Sequence, residues 1–239
     1  MPNNSKKLVE EVETNGECQK KALLFELDNV ALDGRELVYD VLSGILEEKD
    51  VKFSFSLFCQ HCLYPPVKNY IPTLLSKSGR TRLSDDKLTA EVNEAVKLMF
   101  VDGNIKMKQG VNELLAGAAE AGASIGAVSA FDEETTGKIV EKLALKAKGV
   151  TVLSNGCEDK NMPTSDAWLK LAKTMKVPAT CCVVVASSAR ACKAALSAGM
   201  HCVVFPDKFT SFQDFGGANF VLDSVDKDAA TSILGLLDF

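Results

Sequence analysis

The sequence predicts an α/β protein: a doubly wound parallel sheet with a small α-helical domain inserted after the first strand. Two observations predict the sheet. Short continuous apolar runs recur at 22–27, 123–128, 150–153, 182–186, 202–205 and 219–222, the pattern of strands buried on both faces. Helical patterns lie between them, so strand and helix alternate. A third observation predicts the insertion, because residues 34–105 hold helical patterns and no convincing strand.

Taken in order, residues 1–20 form a polar tail, without the apolar segment of a secretory signal. The first strand follows and ends in Asp28-Asn29. In the insertion, Val38, Val41, Leu42 and Ile45 make one apolar stripe and Val92, Ala95, Val96 and Met99 another. Between the stripes, Pro65-Pro66, Pro72 and Ser78-Gly79 read as turns. The expected organisation is a core of residues 21–33 plus 106–239 and a cap of residues 34–105. In the core, a helix over 111–121 runs from Gly110 to a stop at Gly122. One over 133–145 carries Ile139, Val140 and Leu143 on one face. Ser165 is placed to cap a helix bearing Trp168, Leu169, Ala172 and Met175, which closes before Val177-Pro178. A last one over 188–198 ends at Gly199.

Composition narrows the function. The 239 residues include 27 Lys+Arg against 32 Asp+Glu, a net charge of −5, with no basic face or arm for nucleic acid. No apolar run approaches the roughly 20 residues that span a bilayer, so neither a nucleic-acid nor a membrane partner is expected, and the expected setting is cytoplasmic. The placement of the eight cysteines weakens a disulfide reading. Cys181, Cys182 and Cys202 lie in or beside apolar runs and read as small buried hydrophobes. Cys59 and Cys62 flank His61 without a second ligand pair, which reads as one buried and one exposed thiol rather than zinc.

Ligands of open α/β sheets bind beyond the carboxyl ends of the strands. Those ends carry Glu26-Leu27-Asp28-Asn29-Val30, Ser129-Ala130, Ser154-Asn155-Gly156 and Ala186-Ser187-Ser188. Glu26 and Asp28, two residues apart, point to one side of the first strand's end, toward one crevice.

Four segments in this order resemble the haloacid dehalogenase-like (HAD) superfamily, in its branch of phosphatases and β-phosphoglucomutase-like proteins with a helical cap on a Rossmann-type core. LLFELDNVALDGREL stands where that family has an apolar strand and D-x-D-G-[TV]. KMKQGVNELLAGAAEAGASIGAVSA stands for its helix, strand and terminal Ser/Thr, PTSDAWLKLAKTMKV for its K-P-x-P-D and helix, and VVVASSARACKAALSAGM for its E-D-S and Ala-rich helix.

The resemblance implies phosphoryl transfer through an aspartyl-phosphate. The first Asp is the nucleophile, the acid two residues on is the acid/base, and Ser/Thr and Lys hold the phosphate. Mg²⁺ is held by the nucleophile, a backbone carbonyl and an acid of the fourth motif. Carried onto this chain, Glu26 takes the nucleophile position, one methylene longer than Asp, and a misplacement near 1 Å can cost about 10²-fold. Asp28 takes the acid/base position, Ser129 the phosphate-holding hydroxyl, and Lys160 the nearest place to the missing motif lysine, which Met162 occupies. Asn29 and Ala130 are candidate substrate-binding residues beside them, and Arg80, with Lys77 and Arg82, is a candidate from the cap. The metal positions are degenerate. They fall on Glu26, Asp28 and Ser187, with Ala186 and Ser187 in place of two acids, so Mg²⁺ binding is expected to be weak or absent.

Plainer roles compete. Ser129 suits a cap for the helix starting near Asp132, Lys160 a surface lysine, the 77–82 cluster a solvated face, and Trp168 a core stripe. The leading expectation is a HAD-like protein whose phosphoryl transfer is lost or greatly weakened and which binds a phosphorylated small molecule. The alternatives are an active phosphate-ester hydrolase using Glu26 and a non-catalytic protein-binding scaffold. Oligomeric state is not specified by the sequence.

Overall fold

The computed structural model describes residues 18, 20–64, 66–80, 82–154 and 163–238. Six strands form one parallel sheet: β1 (Ala22–Glu26), β2 (Ser124–Val128), β3 (Val150–Leu153), β4 (Cys182–Ala186), β5 (His201–Val204) and β6 (Phe220–Val221), in the order β3-β2-β1-β4-β5-β6. The chain starts at the centre, winds outward through β2 and β3, returns to place β4 beside β1, and winds outward again. Successive connections leave the ends of β1 and β4 in opposite directions there, which opens a crevice at the carboxyl end of the sheet.

The continuous apolar runs have a direct cause. Leu23, Phe25, Ile125, Ala127, Val183 and Val185 pack on one face of the sheet. Ala22, Leu24, Val128, Val184 and Ala186 pack on the other, so every position of the two central strands β1 and β4 is buried and polar alternation disappears there, while β6 at the edge is exposed. The second face is covered by α7 (Ser165–Met175) and α8 (Ala189–Ser197) through Trp168, Leu171, Ala191, Cys192 and Ala195. The first is covered by α5 (Val111–Glu120), α6 (Glu133–Lys142) and α9 (Lys227–Gly235).

Between β1 and α5 lie α1 (Gly34–Glu48), α2 (Phe55–His61), α3 (Val67–Ser78) and α4 (Asp85–Val101), with no strand among the described residues. Ser54 caps α2 and Ser84 caps α4 through their side chains. Tyr39, Phe53, Phe55 and Phe58 of this segment cluster with Phe209, which follows β5. The Tyr64 hydroxyl donates to Gln213 Oε1 (2.9 Å), which also accepts from the Ala189 N–H at the start of α8 (2.8 Å).

Five expectations need correction. Pro72 lies inside α3, not in a turn; burial of Tyr70, Ile71, Leu74 and Leu75 outweighs its missing donor. α6 stops at Lys142 because Ala144 takes a positive φ of 51°. Thr164, not Ser165, caps α7 by accepting from Ala167 N (3.2 Å). Asp132, not Ser129, caps α6, accepting from Thr135 N (2.7 Å).

The fifth correction is a disulfide between Cys18 and Cys181, with Cα atoms 5.8 Å apart. Ala22 of β1 pairs with Cys182 of β4, so the segments leading into the two strands run side by side and bring the thiols together. Trp168 is fully buried in the core, as its helical stripe predicts. Cys59, within α2, is half-buried, and Cys62, just after it, is buried.

Candidate active site

Residues Leu27–Ala31 leave β1 as a short π-type turn. Lys108 pins this turn from the segment before α5: its backbone N–H donates to Ala31 O (2.8 Å), its Nζ to Asn29 O (3.1 Å), and Asp33 Oδ1 lies 3.0 Å from the same ammonium. The next helix starts hard against the turn. A Cβ on Gly34 would lie 2.2 Å from the Asp28 carbonyl oxygen, so only glycine permits the approach. That approach carries Arg35 into the crevice.

Glu26, at the end of β1, is 3% exposed. Its Oε1 accepts from the Ser187 N–H (2.6 Å) and the Ser187 hydroxyl (2.9 Å). Ser187 follows β4 directly and precedes Ser188, the cap of α8, so the carboxylate sits at the positive end of a helix with one oxygen already engaged.

Arg35 is 7% exposed; its Nη2 donates to Ser187 Oγ (3.1 Å) and its Nη1 to Asp207 Oδ2 (2.6 Å), while its Nε is buried without a partner. Asp207 is held in turn by the Phe209 N–H (2.9 Å), and the Thr210 hydroxyl ties the same loop to Ser187 O (2.8 Å).

Asp28 is 7% exposed, its Oδ1 accepting from the Ser129 hydroxyl (2.9 Å) and its Oδ2 from the Ala130 N–H (2.6 Å). Burial pushes its carboxyl up to about 6 and the nearby Glu26 charge adds to this, against the Ala130 and Ser129 hydrogen bonds and the Arg35 charge, which pull it down. A carboxyl with this affinity is suited to exchanging a proton near neutral pH.

The donor set fits Mg²⁺ poorly. A hard divalent ion favours near-octahedral oxygen coordination anchored by carboxylates. Position 187 offers a hydroxyl that already donates to Glu26, and the charged group beside it is a guanidinium. Among the described residues, no group of three His, Cys, Asp or Glu side chains is placed to hold a metal ion.

Of the residues singled out in the sequence, Glu26, Asp28, Ser129 and Ser187 come together at the ends of β1, β2 and β4. Asn29 and Ala130 flank them, half-buried and exposed. Arg80 is exposed in the 34–105 segment, where it binds Asp50 through Nε to the backbone oxygen (3.0 Å) and Nη2 to the carboxylate (3.5 Å). Lys160 and Met162 lie outside the described residues. Sequence reasoning missed Arg35, Lys108, Asp207 and Thr210. Arg35 and Lys108 stand within the first two matched segments, far in sequence from positions 186 and 187, so no local signal marked them.

The haloacid dehalogenase-like hydrolase pattern matches residues 23–205. The chain is 26% identical over 200 residues to the candidate phosphatase YhcW of Bacillus subtilis (strain 168), covering 82% of this chain and 89% of that protein. Among solved structures, CbbY from Rhodobacter sphaeroides in complex with phosphate is similar with a TM-score of 0.73 at 19% identity, over 91% of this chain and 100% of that one. The β-phosphoglucomutase of Clostridium difficile is similar with a TM-score of 0.69 at 18% identity, over 91% and 98%.

Proposed function

The chain belongs to the haloacid dehalogenase-like hydrolase family, and we propose that its phosphoryl-transfer activity is lost or greatly weakened while the crevice keeps the means to bind a phosphorylated small molecule. The observation that carries this reading is the pair of hydrogen bonds from Ser187 N and Oγ to Glu26 Oε1, at 2.6 and 2.9 Å. A carboxylate nucleophile must present an oxygen in line with phosphorus. In this chain the longer side chain at that position is bound by the residue that replaces a metal-holding acid. Phosphoryl transfer depends on positioning and charge neutralisation, so a nucleophile one methylene longer, held through Oε1, and a weakened Mg²⁺ site act on the same barrier.

Binding is the part of the chemistry with the most support. Ser129 stands where the resemblance puts the phosphate-holding hydroxyl, with the Ala130 N–H beside it; both donate to Asp28 in the ligand-free protein and would turn to an incoming phosphate, and the R. sphaeroides structure of similar fold was captured with phosphate. In this reading the protein works in the cytoplasm, whose reducing conditions favour opening of the Cys18–Cys181 bond.

A second reading has its own observation. Asp28 keeps the acid/base position with its carboxyl pushed up to about 6, which suits a working hydrolase that attacks through Glu26. The two separate in one assay, in which purified protein is incubated with Mg²⁺ and a panel of phosphate esters. Turnover at background supports the degenerate site, and turnover well above background establishes the hydrolase.

A further inference from the structure

Arg35 is placed against its own helix. It lies in the first turn of α1, where the helix dipole disfavours a cation, and it is buried, where an unpaired charge is costly. The structure gives it two partners from the other half of the sheet: Asp207 after β5 at 2.6 Å and Ser187 after β4 at 3.1 Å. The Ser187 hydroxyl accepts from Arg35 and donates to Glu26 (2.9 Å), so the cation reaches the carboxylate through a single intervening group. The loop carrying Asp207 is fastened to Ser187 O by Thr210 (2.8 Å). The whole arrangement is therefore fixed rather than a surface pairing.

We infer that Arg35 is a resident cation standing in for the divalent metal: hydrogen-bonded to Ser187 and paired with Asp207, its guanidinium supplies the positive charge at the end of β4, and the crevice neither needs nor admits Mg²⁺. The inference rests on the reading of this crevice as a degenerate phosphoryl-transfer site. It entails that an acid restored at position 187 alone leaves Mg²⁺ unbound. A carboxylate introduced at position 187 meets Arg35 first and pairs with it, leaving a like-charged group beside any incoming cation.

The test compares thermal unfolding in EDTA and in excess Mg²⁺, with calorimetric titration of Mg²⁺ alone, for the wild type, Ser187→Asp, and Ser187→Asp combined with Arg35→Met. The wild type and Ser187→Asp are expected to shift by less than about 1 °C and to show no binding heat, whereas the combined variant gains several degrees and a measurable affinity. A Mg²⁺ response in the wild type, or one in Ser187→Asp as large as in the combined variant, overturns the inference. So does a folded combined variant that stays indifferent to Mg²⁺. If the combined variant does not fold, the first two proteins still decide. The ester panel run in EDTA keeps the two claims apart. Metal-free turnover by the wild type contradicts the proposed loss of activity and leaves Arg35 in its role, whereas Mg²⁺ binding without turnover does the reverse.

Discussion

The Oε1 oxygen of Glu26 is engaged before any ligand arrives, and its neighbour Asp28 carries the more telling electrostatics. Because the folded protein holds a proton on Asp28 up to about pH 6 against an ordinary value of 3.8, the folded state binds that proton more tightly than the unfolded chain. Stability from this group is therefore present at low pH and falls as pH rises from about 4 to about 6, by on the order of 3 kcal/mol. Asp28→Asn is expected to flatten this part of the profile and to gain relative stability at pH 7.5. Denaturant unfolding from pH 4 to 8 checks it, and a decline of equal depth in the variant would assign the slope to other groups. Glu26, Asp28, Ser129 and Ser187 were legible in the sequence because each sits at or just beyond the end of an apolar run. Arg35 and Asp207 were not. They stand 172 positions apart, and an arginine in a first helical turn looks like a surface residue until the sheet order brings β5 beside β4.

At the level of elements, the start of α1 is the piece that builds the crevice. Its approach to the Leu27–Ala31 turn requires Gly34, since a Cβ there meets the Asp28 backbone oxygen at 2.2 Å. Gly34→Ala is expected to destabilise the fold by about 1–3 kcal/mol, because backbone rather than a flexible side chain must yield. Equilibrium denaturation measures it, and a loss below a few tenths of a kcal/mol would mean that α1 shifts freely. The strands were readable because burial on both faces leaves continuous apolar runs. Pro72 was misread for the opposite reason, since local propensity marks a turn where four buried neighbours in α3 hold a helix. The caps show the same limit at finer grain: Thr164 and Ser165 are equally good capping residues on paper, and the chain direction at the start of α7 selects Thr164.

For the whole molecule, strand order decides what the sequence could not. Placing β4 beside β1 makes the crevice, joins Glu26 to Ser187, and sets Cys18 against Cys181 across 163 positions. No helix among the described residues is long and apolar enough to cross a membrane. Closing so long a loop constrains the unfolded chain, so opening the disulfide is expected to cost about 2–4 kcal/mol. Reductant should lower the melting temperature of the wild type and leave Cys18→Ser, already lowered, unchanged; equal sensitivity of both proteins would refute the bond's contribution.

In the reading proposed above, the family fold keeps its crevice without its reaction. The most direct measurement is phosphate-ester turnover by the wild-type protein in Mg²⁺, run beside the variant that combines Glu26→Asp, Ser187→Asp and Arg35→Met. Wild-type turnover is expected at background, with turnover above it only in the combined variant. Wild-type turnover well above background, lost on Glu26→Gln, would contradict it.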